Sequence, residues 1–148
     1  MPVLHIAPEY GYVILSAIST GLFVTYLGVQ VGTYRKVADV PLPNMYAEAS
    51  EAKVDKKKHI FNCYQRAHQN TLELYQYYLV LLMIGGLYHP LAATVGNALW
   101  LVGRFFYARG YQTGDPKARG GLGLLFHLGE LVQMGLSGAL AYQLLTSA

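Results

Sequence analysis

Between Tyr10 and Tyr34 the chain carries no Asp, Glu, Lys or Arg, and few folds can absorb an uncharged run of that length. About 20 mostly apolar residues suffice to cross the hydrocarbon core of a bilayer as a helix. Three further segments fit that description: Arg66 to Tyr88, Leu91 to Tyr111 with Arg104 inside it, and Gly120 to Leu145 with Glu130 inside it. Composition agrees, since 53% of the 148 residues are hydrophobic and 13% charged, a poor balance for a water-soluble domain. The sequence therefore predicts an all-α integral membrane protein, a four-helix bundle forming a single domain over residues 1–148. Its expected spans are about 10–34, 66–88, 91–111 and 120–145, with cytoplasmic loops at about 35–65 and 112–119. Within the first loop, PLP at Pro41 to Pro43 and DKKKH at Asp55 to His59 read as non-helical and solvated.

The apolar run Val13 to Leu27 has the wrong flanks for a signal peptide: no Lys or Arg precedes it, and it is too long for an h-region. The lone Cys63 cannot form an internal disulfide and reads as a small packing residue. The cations set the topology. Arg35, Lys36, Lys53, Lys56, Lys57, Lys58 and Arg66 surround the first connection, and Arg109, Lys117 and Arg119 the third. The positive-inside rule places both loops in the cytoplasm and both termini on the far side. The net charge of +3 needs no nucleic acid to explain it. Many of the thirteen tyrosines, Tyr10, Tyr34, Tyr75, Tyr77, Tyr88 and Tyr142 among them, fall near span ends, where they serve as interfacial anchors.

At 100° per residue, Arg66, Asn70, Glu73 and Tyr77 form a narrow stripe on one face of the second span, with Gln69 bordering it and His68 pointing elsewhere. Such a stripe can satisfy itself, with Arg66 snorkelling toward the interface and Glu73 drawn to it. Yet a carboxylate inside a membrane helix costs a few kcal/mol, which makes the cluster a candidate functional site. Arg104, Tyr107 and Tyr111 share a face at the end of the third span, before Gly114, Asp115 and Pro116 break it. Since the first and third loops lie on one side, both stripes meet at one membrane depth. Guanidinium groups suit carboxylates, and Glu73 and Asn70 suit an ammonium group. The ligand this implies is small, zwitterionic and polycarboxylate, with a second, apolar substrate arriving through lipid.

The stretches QRAHQNTLE (Gln65 to Glu73) and YARGYQTGDPKAR (Tyr107 to Arg119) are similar to those of the membrane-associated proteins in eicosanoid and glutathione metabolism, the MAPEG family. The EYGYVIL start, the HIFNC run and the GGLYHP turn extend the likeness over nearly the whole chain, toward the branch of third-type microsomal glutathione S-transferases. The resemblance implies a homotrimer of the endoplasmic reticulum membrane, with glutathione sites between neighbouring subunits and facing the cytosol. It implies glutathione-binding roles for Arg66, His68, Asn70 and Glu73 on the second helix and for Tyr107, Arg109 and Tyr111 on the third. Arg35 would reach the glutathione of the neighbouring subunit, and Arg119 would be the catalytic arginine that stabilises the thiolate.

The activity so implied is conjugation of glutathione to lipophilic electrophiles, reduction of lipid hydroperoxides, or both. Leukotriene C4 synthesis stays open as a further activity, although Leu74 stands where that synthase has a tyrosine and Lys36 where it has a second arginine. One more residue separates Tyr111 from Arg119 than in that enzyme. The alternative is a non-catalytic lipid-binding scaffold of the same fold, which has no need of the retained set Arg35, Arg66 and Arg119. A channel or transporter would call for broken helices or inverted repeats.

The remaining polar residues have plainer readings. His5 and His59 are expected at the surface, His89 in a tight turn before Pro90, and His127 and Glu130 as an i,i+3 pair. Glu130 could instead pair with Arg104 at mid-membrane. The five histidines lack the spacing of a metal site, so no metal is expected. Gly28 and Gly32 form a GxxxG pattern that would let helices approach. The sequence ends at Ala148 without a cysteine-bearing tail, so no lipid anchor is expected there.

Overall fold

The computed structural model describes residues 6–147; the expectations placed on His5 and Ala148 lie outside them. Every regular element among the described residues is a helix. Four long helices, α1 (Tyr10–Ala38), α3 (Lys56–Tyr88), α4 (Pro90–Gln112) and α5 (Leu125–Thr146), are joined by a short α2 (Ala49–Val54) and two 3-10 turns, Pro116–Arg119 and Gly121–Leu124. Both α3 and α4 pack against α1 and α5 as well as each other. That placement explains the composition of each helix. Among the described residues, Tyr10–Ala38 and Gly121–Thr146 are the two helical stretches long and apolar enough by themselves to cross a membrane, and α1 turns Leu15, Ile18, Leu22 and Val29 outward. The central pair carries the polar groups.

The helix ends are chemically specified. Arg35 and Lys36 occupy the last turn of α1, where cations suit the helix dipole. Asp39 then ends the helix at φ 50°, its N–H turned back to the carbonyls of Arg35 and Lys36. The Asp55 side chain accepts from Lys57 N at 2.8 Å and starts α3. This corrects one expectation: the DKKKH stretch is largely exposed, as anticipated, but it is the cap and first turn of a helix of 33 residues rather than a loop. At 1.5 Å per residue α3 is about 50 Å long, well beyond the ~30 Å of a bilayer's hydrocarbon core. A single residue, His89, joins α3 to α4. Its Nδ1 accepts from Ala92 N at 3.3 Å, and Pro90 fills the first helical position.

So short a connection makes α3 and α4 an antiparallel hairpin. Arg66 near the start of α3 and Arg104 to Tyr111 near the end of α4 are thereby brought to one end of the molecule.

Lipid tails are as apolar as leucine, so helices in a membrane associate through close contact and hydrogen bonds rather than through exclusion of water. Both are present. A Cβ on Gly103 would fall 2.1 Å from Phe126 N, and one on Gly129 would fall 2.5 Å from Gly96 O, so α4 and α5 touch backbone to backbone. In the buried interior Thr20 Oγ1 donates to Asn97 Oδ1 at 2.9 Å, Tyr78 OH donates to the same oxygen at 3.3 Å, and Asn97 Nδ2 donates to Ser16 O at 3.4 Å. Gln133 Nε2 donates to Ala93 O at 2.7 Å. Tyr78 stacks on Trp100 with ring centroids 4.4 Å apart. The GxxxG pattern of α1 plays a smaller part within the chain: a Cβ on Gly28 would meet His68 at 3.4 Å, and one on Gly32 would meet nothing.

Candidate functional site

The second-helix stripe forms as a bonded unit. Arg66 Nη1 lies 2.8 Å from Glu73 Oε1, and Asn70 Nδ2 donates to Glu73 Oε2 at 3.4 Å. Each residue stands one or two turns from the next, so the helix alone fixes their spacing. The Arg66 and Glu73 side chains are 41% and 44% exposed, open to a ligand or to a neighbouring surface. Tyr77 continues the stripe outward, exposed.

The third-helix stripe joins it through one residue. Arg104 is fully buried, its Nη1 donating to Asn70 Oδ1 at 3.0 Å and its Nη2 to Asn70 O at 3.5 Å. The guanidinium carbon lies 4.0 Å from the ring centre of Phe126, 5.1 Å from Tyr107 and 5.5 Å from Trp100. Three aromatic rings thus cover a cation that a bilayer interior could not otherwise hold cheaply. The alternative of an Arg104–Glu130 ion pair is not realised. Glu130 Oε2 pairs instead with His127 Nδ1 at 3.1 Å, while Arg104 Nε and Glu130 Oε1 are each buried without a protein partner.

Tyr107 and Tyr111 lie side by side with ring centroids 5.4 Å apart. Beyond them the chain doubles back. Gly114 takes φ 88°, a conformation that favours glycine, and Asp115 caps the following 3-10 turn by accepting from Lys117 N at 2.9 Å. That turn seats against Gly110, where an added Cβ would fall 2.2 Å from Ala118 O. It carries Arg119 back onto Tyr111: the guanidinium donates to the Tyr111 hydroxyl and lies 5.2 Å from its ring centre.

Three of the anticipated residues lie apart from this cluster. His68 faces α1 at Gly28 rather than the stripe. Arg109 is exposed beside Phe106, Thr113 and Leu122 along an open groove. Arg35 is engaged inside its own chain, donating to Asn44 O at 2.5 Å, to Val40 O and Met45 O at 3.4 Å, and lying over Phe61.

One residue of the first connection enters the cluster without having been singled out. Tyr46 donates its hydroxyl to Gln69 on α3, and Arg66, Glu73 and Tyr111 are all close enough to act on it. Burial pushes that hydroxyl above the ordinary tyrosine range against a smaller lowering by Arg66, so it stays protonated and donating at neutral pH. Among the described residues no group of three or more His, Cys, Asp or Glu side chains could hold a metal ion.

Guanidinium, carboxylate and phenol groups are thus gathered at one end of a helix hairpin packed between two apolar helices, the architecture of an integral membrane protein. The MAPEG family model matches residues 13–142, and the chain belongs to that family. Its members are integral membrane proteins and include glutathione-dependent transferases and peroxidases.

Proposed function

We propose that this protein is a glutathione transferase of the endoplasmic reticulum membrane. In this reading it is built from four spanning helices per subunit, assembled as a homotrimer, and nearest in kind to the third-type microsomal enzymes. Its glutathione site faces the cytosol. The observation that carries the reading is the junction of the two stripes through Arg104 and Asn70, which puts Arg66, Glu73, Tyr111 and Arg119 at one end of the helix hairpin. Arg66 suits a glutathione carboxylate, and Glu73 with Asn70 suits its ammonium group. Tyr107 and Tyr111 offer hydroxyls to orient the backbone of the tripeptide. The half-exposed state of Arg66 and Glu73 supports a site completed by a neighbouring subunit, where His68, Arg109 and Arg35 could still contribute across the interface.

Arg119 is the group assigned to the thiolate. A free thiol is only a few per cent ionised at neutral pH, and the thiolate is the nucleophile. Stabilising it by about 2.7 kcal/mol would raise the reactive fraction at most roughly 25-fold, so proximity must supply the rest of the rate. In conjugation the sulfur forms a bond to an electrophilic carbon. For an epoxide the C–O bond breaks toward oxygen, which then takes a proton. In the peroxidase reaction two glutathione thiols give a disulfide, and the hydroperoxide becomes an alcohol and water. Leukotriene C4 synthesis would be one instance of the first reaction. The apolar outer faces of α1 and of α4, where Phe105 and Phe106 are exposed, offer a lipophilic substrate a path from the bilayer.

Titrating the detergent-solubilised protein with glutathione at neutral pH, while following ultraviolet difference absorbance in the thiolate band, tests the reading. A saturable thiolate signal is the expected result. Glutathione binding by calorimetry without such a signal, and without turnover of any electrophile or hydroperoxide, would favour a non-catalytic lipid-binding scaffold of the same fold.

A further inference from the structure

The connection between α1 and α2 is held in place by side chains of two helices. At one end Arg35 donates to the carbonyls of Asn44, at 2.5 Å, and Met45, at 3.4 Å. At the other, the Asn62 side chain engages both backbone groups of Ala47, accepting from its N at 2.8 Å and donating to its O at 3.0 Å. Ala47 itself packs into a small cluster with Val31, Ala38, Val40 and Phe61. Tyr46 stands between the two clamps. Its hydroxyl donates to Gln69, which lies between Arg66 and Asn70 on α3, and it is near enough to Arg66 and Glu73 for their charges to act on it.

A loop that merely connected two helices would have no use for so many fixed points within Asn44 to Ala47. Two polar side chains, Arg35 and Asn62, are committed to backbone groups there, and ordering them has an entropic cost. What the clamps achieve is the placement of one phenol over the first turn of the stripe.

We propose that Asn44 to Ala47 form a wall of the glutathione site and that Tyr46 is a positioning residue in it. Its hydroxyl, fixed on Gln69, stands beside Arg66 and restrains it, so that the guanidinium is presented in one orientation to a ligand carboxylate. Besides the contact proposed across the interface, Arg35 supports the site of its own subunit by holding the wall. The inference rests on the reading that the stripe binds glutathione. Its physical basis is preorganisation: a long arginine side chain already restrained before the ligand arrives loses less freedom on binding.

The test compares wild type, Tyr46→Phe, Asn62→Ala and the double variant in glutathione calorimetry and in turnover of a chloronitrobenzene. Phenylalanine keeps the ring and removes only the hydroxyl, so a role in packing alone would leave binding unmoved. Tyr46→Phe is expected to raise the Kd and KM for glutathione roughly 5- to 10-fold, with kcat and the KM for the electrophile within about twofold of wild type. Asn62→Ala, which releases the loop but leaves the phenol, should shift binding the same way. The double variant should fall short of the product of the two single effects. Wild-type affinity in both single variants, with wild-type protein binding glutathione normally, would overturn the role of the loop alone. A fall in kcat with unchanged KM would overturn it too. A wild-type chain that takes up no glutathione would overturn the ligand assignment, and this inference with it.

Discussion

Arg104 on α4 donates to Asn70 on α3 at 3.0 Å, and that bond makes two polar stripes on separate helices one network. Asn70 is the hinge of the arrangement, since it accepts from Arg104 while donating to Glu73 at 3.4 Å. The two partners are not equivalent when removed. Arg104→Leu takes away the buried cation and leaves one amide oxygen unpaired. Asn70→Leu leaves a fully buried guanidinium without its best acceptor, a loss of about 1.5–3 kcal/mol for a hydrogen bond to a charged group. Asn70→Leu is therefore expected to be the less stable variant, as read from thermal unfolding midpoints in one detergent. Equal midpoints would mean that the aromatic rings around Arg104 suffice to hold it.

Arg119 reaches Tyr111 only because its 3-10 turn seats on Gly110, where an added Cβ would meet Ala118 O at 2.2 Å. A methyl group there must push the turn off the helix, at a cost of about 1–3 kcal/mol for overpacking. Gly110→Ala should thus depress the thiolate signal and turnover by displacing Arg119. Gly138→Ala, where an added Cβ meets nothing, should leave activity unchanged and stabilise α5 by about 1 kcal/mol on helix propensity. Thiolate absorbance in the two variants checks the contrast, and an unaffected Gly110→Ala would show that the turn has other supports.

Cys63 is a second thiol, and its setting makes it a poor one for chemistry. It is 5% exposed, and burial pushes its thiol above the ordinary cysteine range, with the charge of Asp115 adding to the shift. A group whose folded-state value is raised stays protonated to higher pH than it would in the unfolded chain, so the native thiolate is scarce at neutral pH. Maleimide labelling of Cys63 at pH 7 is expected to be slow in the folded protein and to accelerate on unfolding. Cys63→Ala should retain turnover, so rapid labelling accompanied by loss of activity would assign Cys63 a role that its burial argues against.

Much of this was legible in the sequence because helical periodicity is local. The relation of Arg66, Asn70 and Glu73 needs only about two turns of helix, and the one-residue connection at His89 places Arg104 opposite them. Other relations had no local signal. The interior network joins Thr20 to Asn97 and Asn97 to Ser16, partners 77 and 81 residues apart, and a single polar residue in an apolar run does not say what it will meet. Tyr46 sits in an irregular segment with no period to read. The start of α3 was hidden differently: three consecutive lysines suggest solvated chain, yet Asp55 directly before them is a favoured capping residue, and that signal was present.

The thiolate assignment makes a prediction about pH as well as rate. If Arg119 stabilises the glutathione thiolate, the bound thiol ionises at a lower pH than free glutathione, and the enzyme is active at pH values where the free thiol is mostly protonated. Arg119→Ala removes that stabilisation, so the acid limb of the kcat profile should move to higher pH, with turnover lost at neutral pH and largely regained under alkaline conditions. Binding should change little, because Arg66 and Glu73 keep their 2.8 Å pair and supply the recognition. Arg66→Ala should do the opposite, raising the glutathione KM at every pH while leaving the position of the acid limb where it was. Measuring kcat and KM for both variants from acid to alkaline pH separates the two roles. An Arg119→Ala enzyme with a wild-type acid limb would transfer the thiolate role to another cation, with Lys36 and Arg35 at the end of α1 the next to be replaced.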